Sequence, residues 1–201
     1  MPNYITNKLT IIGKDEKIKD VLDFIKIEKE EDVGVCGAGT IDFNKITPMP
    51  KWVYRGMLGK DEIEKYGEEN CWKAWTEANW GTKWNAFGQP DKRNSENTLY
   101  FETAWNGVPK LISRLSLIFP DVVIEYSYCD EDTGYNVAQY VFKEGKAISR
   151  YIPDGGTKEA YELAFKIHMC SPEDMGYKFN PQTNKYEWII VTGKQIGRAH
   201  V

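Results

Sequence analysis

Residues 98–129, TLYFETAWNGVPKLISRLSLIFPDVVIEYSYC, decide the fold because they predict a strand, a helix and a second strand in direct succession. The strands are predicted over Thr98 to Trp105 and Val122 to Cys129, both rich in aromatic and β-branched residues. Pro109 lies in the first turn of the helix, where its missing N–H costs nothing, and Pro120 ends it. The apolar stripe of this helix consists of Leu111, Ile112, Leu115, Ile118 and Phe119.

The N-terminal segment predicts another strand followed by another helix. Tyr4 to Ile12 alternates between apolar and polar residues, as a half-buried strand does. Its apolar face consists of Ile5, Leu9 and Ile11. Asp15 to Ile27 then carries apolar residues at helical spacing, which predicts a helix. Asp15 and Glu16 lie in its first turn, where negative side chains stabilise the positive end of the helix dipole.

Two hairpins complete the predicted sheet. Thr82 to Phe87 is strand-like, and the polar loop GQPDKRNSEN separates it from the Thr98 strand, so we predict an antiparallel hairpin. Tyr135 to Lys143 and Lys146 to Ile152 predict a second hairpin across Glu144 and Gly145. The order is that of an α+β protein, a ferredoxin-like split β-α-β antiparallel sheet with a helical insertion and an extra C-terminal hairpin and helix.

We therefore expect a ferredoxin-like domain over residues 1–152, with an insertion at about 28–79 that is fixed on the core or moves as a lid. Within the insertion, Lys60 to Ala78 is helical, and Gly67 leaves open one helix or two. Residues 153–195 form an appendage with a helix over Thr157 to Met169. A last strand is predicted over Tyr186 to Thr192, without an assigned partner.

The last six residues, IGRAHV, match the translation of a DNA string similar to a widely used short-read sequencing adapter. We expect residues 196–201 to be a sequencing artefact and give His200 no functional weight. Resequencing the parent locus distinguishes this from a native end.

Composition limits the function classes. The net charge of −4 and the absence of any run of five basic residues disfavour a sequence-independent duplex binder. Four widely spaced cysteines give no zinc or disulfide pattern, so we expect reduced thiols and neither metal nor cofactor. No segment approaches the length of a membrane span, and no signal peptide is apparent. We expect a cytoplasmic protein without a membrane partner.

Four separated blocks carry a family resemblance. The opening MPNYITNKLTIIG, the stretch IDFNKITPMP, the block NWGTKWNA and the later FETAWNGVP together resemble the YubB ferredoxin-like family, small proteins of phages and plasmids. The resemblance covers most of Met1 to about Gly145 and implies a ferredoxin-like fold in a bacterial host. It implies no reaction, because no catalytic motif defines the family. Tyr4 stands where tryptophan is common, and the resemblance leaves the role of Gly156 onward open.

The block NWGTKWNA, residues 79–86, is the candidate binding surface. Its aromatic rings, amide and lysine suit a planar or anionic partner through stacking and charge-assisted hydrogen bonds. Aromatic packing between the hairpin and the insertion is the alternative explanation of the same residues, since buried tryptophans commonly anchor cores. The candidate binding residues are Trp80, Lys83, Trp84, Asn85, Thr103 and Trp105.

Catalysis is disfavoured because acid–base groups are few and the familiar hydrolase and phosphate-loop motifs are absent. His168 lies near the end of a predicted helix, where a partly charged imidazole complements the dipole. Asp130, Glu131 and Asp132 form a solvated turn or, in a divalent-metal-dependent enzyme, a cation site. No catalytic residue is assigned.

We expect a non-enzymatic binding or accessory protein of a mobile genetic element. Its partner is a host or phage protein, or a small ligand, rather than nucleic acid, and the sequence leaves its oligomeric state open. The alternatives are a divalent-metal enzyme and a domain for single-stranded RNA or nucleotides, in which Trp84 or Phe101 stacks on bases.

Overall fold

The computed structural model describes residues 2–28 and 36–190. The predicted adapter-derived residues 196–201 and the start of the predicted insertion, residues 29–35, lie outside this part of the chain. The helices are α1 (Asp15–Ile25), α2 (Phe43–Ile46), α3 (Lys60–Tyr66), α4 (Trp72–Asn79), α5 (Pro109–Ile118) and α6 (Lys158–His168). The strands are β1 (Tyr4–Ile12), β2 (Thr98–Ala104), β3 (Val123–Asp130), β4 (Ala138–Lys143), β5 (Lys146–Tyr151), β6 (Tyr177–Asn180) and β7 (Lys185–Trp188).

Five strands form one antiparallel sheet in the order β2-β1-β3-β4-β5. The strand β1 lies between β2 and β3, so these two are parallel to each other and are joined through α5. This is the split β-α-β arrangement, and the predicted α+β ferredoxin-like fold is confirmed. The C-terminal strands β6 and β7 form a separate two-stranded sheet.

The main core lies on one face of this sheet. Alternate residues of β1 point into it, and Ile5, Leu9 and Ile11 are fully buried there, as their periodicity predicts. The apolar stripes of α1 and α5 cover these side chains. The same core includes Val21, Ile25, Leu111, Ile112, Leu115, Ile124 and Phe142.

A smaller core lies on the opposite face, beneath α6. Cys129 at the end of β3 and Val137 before β4 pack against the apolar side of the helix. The buried residues of α6 in this cluster are Ala160, Leu163, Ala164 and Ile167. The helix beyond residue 152 thus packs on the sheet, and both faces of β3 are covered.

The segment predicted as an insertion is built into the main core. Phe43 of α2 and Trp75 of α4 are buried beside the sheet residues. The predicted helix over Lys60 to Ala78 is two helices, separated at Gly67, whose φ of 82° is unfavourable for residues with a side chain.

Two local predictions are wrong. Thr82 to Phe87 is not a strand, and its pairing with β2 is a single bridge between Phe87 and Glu102. The Thr82 hydroxyl instead bonds the backbone of Ala104, donating to its carbonyl at 2.9 Å and accepting its N–H at 3.1 Å. The last strand, β7, ends at Trp188 rather than Thr192, and it pairs with β6, a strand for which the sequence gives no prediction.

Among the described residues, no helix has the length and apolar character needed to cross a membrane.

A buried polar network crosses the centre of the sheet. Asn7 of β1 faces the main core between Ile5 and Leu9 and is fully buried. Its Nδ2 donates to the Thr103 hydroxyl of β2 at 2.9 Å, and its Oδ1 accepts the Tyr126 hydroxyl of β3 at 2.6 Å. The same tyrosine oxygen accepts the N–H of Val108, just before α5, at 2.6 Å. One amide therefore connects three strands and the start of a helix.

Replacing Tyr126 with phenylalanine should lower the free energy of unfolding by about 1–3 kcal/mol, because it leaves Asn7 Oδ1 and the Val108 N–H buried without this partner. Urea denaturation measures the change. Tyr100→Phe is the control, since Tyr100 of β2 is also buried and its hydroxyl has no hydrogen-bond partner in the described part of the chain. An equal loss in the two variants would contradict a special role for the network.

Candidate functional site

The ammonium of Lys83 lies between two indole rings. Its Nζ is 4.6 Å from the centroid of the Trp84 ring and 5.2 Å from that of Trp105. Both distances lie in the range of a cation–π interaction. The loop after α4 and the end of β2 supply the two rings, so the arrangement depends on the packing of that loop against β2.

Two further rings continue this surface. Phe87 contacts Trp84, with centroids 6.2 Å apart, and Tyr4 contacts Phe87 edge-on at 5.1 Å. Tyr4 is 42% exposed and Trp105 is 37% exposed. We call Tyr4, Phe87, Trp84, Lys83 and Trp105 the aromatic row. Tyr4 and Phe87 were not predicted as site residues, although Tyr4 falls on the face of β1 opposite Ile5 and Leu9.

Trp105 has an unusual backbone conformation. Its φ is 69°, in the left-handed region that bulky side chains avoid. Two hydrogen bonds hold it, because its N–H donates to the Asn3 carbonyl at 2.9 Å and its carbonyl accepts Asn136 Nδ2 at 3.1 Å. The conformation presents a large indole at the surface at the end of β2.

The prediction of an exposed contact is wrong for Trp80 and Thr103. Trp80 is 3% exposed, packs edge-on against Phe43 and Trp75, and donates its indole N–H to the Thr47 carbonyl at 2.9 Å. Thr103 belongs to the buried network around Asn7. Each of these two residues therefore has a packing role.

Asn85 is close to the row but is used internally. Its Oδ1 accepts the N–H of Phe43 and its Nδ2 donates to Asp42 Oδ1, at 2.9 and 2.7 Å. Asp42 itself caps α2 by accepting the Asn44 N–H. The amide fixes α2 against the loop after α4, which leaves Lys83, Trp84 and Trp105 as the predicted residues that form one surface.

The acidic turn after β3 is tied into the protein. Asp130 is 6% exposed, and its carboxylate accepts Asn3 Nδ2, Asn136 Nδ2 and the N–H of Asp132. In residues 2–28 and 36–190, no three histidine, cysteine or acidic side chains are grouped to hold a metal ion. The Asp130 carboxylate therefore acts as a structural acceptor that fixes the turn.

The side chains of Cys129 and His168 are in contact. Cys129 Sγ and His168 Nε2 are 3.2 Å apart. Burial raises the pKa of the Cys129 thiol to about 12, while burial and then the nearby Arg93 lower the pKa of His168 below its ordinary value of 6.5. Both groups are neutral at pH 7, so His168 does not serve as a charged helix cap, and a reactive thiolate is not formed.

Residues 72–171 match the model of a family described as a ferredoxin-like domain in Api92-like protein. The fold is ferredoxin-like. The matched residues run from the first residue of α4 to just beyond α6, and the central strand β1 precedes them. The match supports a ferredoxin-like domain in this part of the chain. Neither a curated protein nor a solved structure matches it significantly.

Two tryptophan variants should separate packing from surface roles. Trp80→Ala should lower the free energy of unfolding by about 3–5 kcal/mol, because it empties a buried site and removes the bond to Thr47. Trp105→Ala should cost less than about 1 kcal/mol, because its indole is partly exposed. Urea denaturation of both proteins measures these values. Equal costs would mean that Trp105 is a core residue.

The neutral state of His168 predicts a pH dependence of stability. The unfolded chain binds a proton at His168 more readily than the folded protein does, so the stability present above pH 6.5 is lost as the pH falls through the lowered folded pKa. Urea denaturation between about pH 7.5 and about pH 5 should show a flatter profile for His168→Gln than for the original protein. Parallel profiles would contradict the lowered pKa.

Proposed function

We propose that the chain is a binding protein that engages a protein partner through the aromatic row. The conformation of Trp105 is the observation that carries this proposal. A left-handed backbone at a bulky residue costs about 1–3 kcal/mol and persists only where the surroundings impose it. Here the strain presents a partly exposed indole beside a lysine, which is of little use to the core.

The composition of the row suits a protein interface. Tryptophan and tyrosine concentrate binding energy at such interfaces, since they bury a large area and lose few rotamers on binding. Lys83 is held by two rings before any partner arrives, so little side-chain freedom remains to be lost. The row thus offers a partner an apolar surface with one fixed positive charge.

Charge favours a protein over a nucleic acid. Exposed Glu131 is directly beside the row, because its carboxylate accepts the N–H of Tyr4 at 3.2 Å. A phosphate backbone approaching Trp105 would meet this carboxylate as well as the net charge of −4. Phe101, one of the two residues expected to stack on RNA bases, is 1% exposed and lies in the main core.

An accessory role without a reaction agrees with the chemistry of the titratable groups. The Cys129 thiol is buried and protonated, and Asp130 is occupied by three hydrogen bonds. The resemblance of the sequence blocks to the YubB family further suggests a mobile-element protein in the bacterial cytoplasm that blocks or sequesters a host factor. The alternative of a metal-dependent enzyme is not favoured by any grouping of ligands in the described residues.

Comparative capture from bacterial lysate tests the proposal. The original protein, Trp105→Ala and Trp52→Ala are immobilised, after their melting temperatures have been checked. Trp52 is the matched control, because it is 63% exposed and does not belong to the row. A protein retained by the original and by Trp52→Ala is then purified, and its dissociation constant is measured for each variant.

The expected result is a dissociation constant at least about tenfold higher for Trp105→Ala, as for a central interface residue, and within about twofold of the original for Trp52→Ala. Equal binding by all three proteins would contradict the proposal. Binding of a single-stranded oligonucleotide that weakens steeply between about 50 and about 200 mM salt would favour the nucleic-acid alternative.

A further inference from the structure

A second surface lies beside the C-terminal hairpin. An open cavity of about 470 Å³ separates the turn after β3 from α6 and from the strands β6 and β7. We call it the hairpin cavity. Its lining residues are Asp132, Thr133, Tyr135, Tyr161, Tyr177 and Trp188. Four of these six residues are aromatic, and the volume is in the range of small-molecule sites.

The rings form a floor and two outer walls. Tyr177 is 4% exposed and contacts Tyr161 at 5.1 Å and Trp188 at 4.4 Å between centroids. Trp188 and Tyr135 are 68% and 52% exposed, so they form the rim. A ligand entering the cavity would therefore meet aromatic surface from below and from the sides.

The backbone fits closely around these rings. A Cβ at Gly134, whose φ is +84°, would lie 2.7 Å from the Tyr161 ring. A Cβ at Gly156, whose φ is +76°, would lie 2.9 Å from the Tyr135 hydroxyl. Glycine at these positions lets the chain approach the two rings closely, so the backbone restricts Tyr161 and Tyr135 before a ligand binds.

The charge of the cavity is negative. Asp132 is the only charged residue among the six described residues of its lining. The Tyr161 and Tyr177 phenols are uncharged near neutral pH, and burial raises the pKa of both further above the ordinary value of 10. Asp132 Oδ2 accepts one hydrogen bond, from Asn3 Nδ2 at 3.2 Å, and its side chain is at the surface.

We propose that the hairpin cavity binds an organic cation of the quaternary-ammonium class. The faces of electron-rich rings attract such a cation, and a quaternary ammonium carries methyl groups that fill an apolar cavity. The negative charge of Asp132 attracts the positive charge of the ligand. This attraction needs no hydrogen bond, and a quaternary ammonium has no N–H to donate. In the aromatic row, Lys83 of the chain itself lies against two rings. Among the described residues, the lining of the hairpin cavity includes no lysine or arginine, so its rings remain available to a cation from outside.

This proposal does not depend on the aromatic row or on its partner. The hairpin cavity uses residues of the turn after β3, α6, β6 and β7, and none of its lining residues belongs to the row. The experiments for the two surfaces can therefore succeed or fail separately.

Choline and its uncharged isostere 3,3-dimethylbutan-1-ol are the probes, titrated into the full chain and followed by calorimetry. The two molecules have the same shape, so their difference in affinity isolates the charge. We expect choline to bind at least about fivefold more tightly than the alcohol. Equal affinities, or no binding of choline, would overturn the proposal.

Variants locate the binding. Asp132→Asn should weaken choline by about threefold or more and leave the affinity for the alcohol unchanged, because it removes charge but keeps shape. Trp188→Ala and Tyr135→Ala should each weaken choline by at least about threefold. Both rings are at the rim, so these proteins are expected to fold, and their melting temperatures verify it.

Two control variants test the specificity of this effect. Trp52→Ala removes an exposed tryptophan elsewhere, and Trp105→Ala removes the exposed indole of the aromatic row. Both should keep the original affinity for choline. Loss of choline binding in either control would place the cation elsewhere and overturn the assignment to the hairpin cavity. A peptide with trimethyllysine is titrated in parallel, because the quaternary ammonium group can belong to a small molecule or to a modified protein. Tighter binding of the peptide than of choline would identify a trimethylated protein as the source of the cation.

Discussion

The side chain of Asn7 satisfies a constraint on which the sheet depends. An amide buried among apolar side chains is costly unless its polar atoms are bonded, and here β2 and β3 supply the partners. A shift of β1 by one residue would place this amide on the other face and break both bonds. The network therefore selects one register for the three central strands, while the apolar contacts around it supply most of the stability.

The register set at Asn7 also fixes the edge at which both candidate surfaces lie. Asn3, just before β1, accepts the Trp105 N–H with its carbonyl and donates its side-chain amide to Asp130 and Asp132. The aromatic row and the hairpin cavity are thus positioned by the same residue. Because these contacts follow directly from the pairing of β1 with β2 and β3, the surface chemistry depends on the central strands.

Much of the fold was predictable because it follows local patterns. Tyr4 to Ile12 alternates with a period of two, and the helix after Pro109 follows a period near 3.6, so each pattern indicates both the element and its buried face. The prediction of a strand over Thr82 to Phe87 was wrong because the alternation of residues does not show which side chains bond to distant backbone. The Thr82 side chain bonds the edge of β2 where a strand would use its backbone, and Asn85 bonds α2. The partner strand β6 was missed, since its four residues give little periodic signal.

The sequence by itself determined the α+β order of elements, the main buried face and the concentration of aromatic residues near residue 84, because composition and periodicity are local properties of the chain. Only the tertiary structure decided which aromatic residues are exposed. Trp80 and Trp84 are four residues apart, yet one is enclosed by Phe43 and Trp75 while the other contacts Lys83. Trp105 joins that lysine from the end of β2. Burial depends on what distant segments pack against a side chain, and that information is absent from the spacing of residues along the chain.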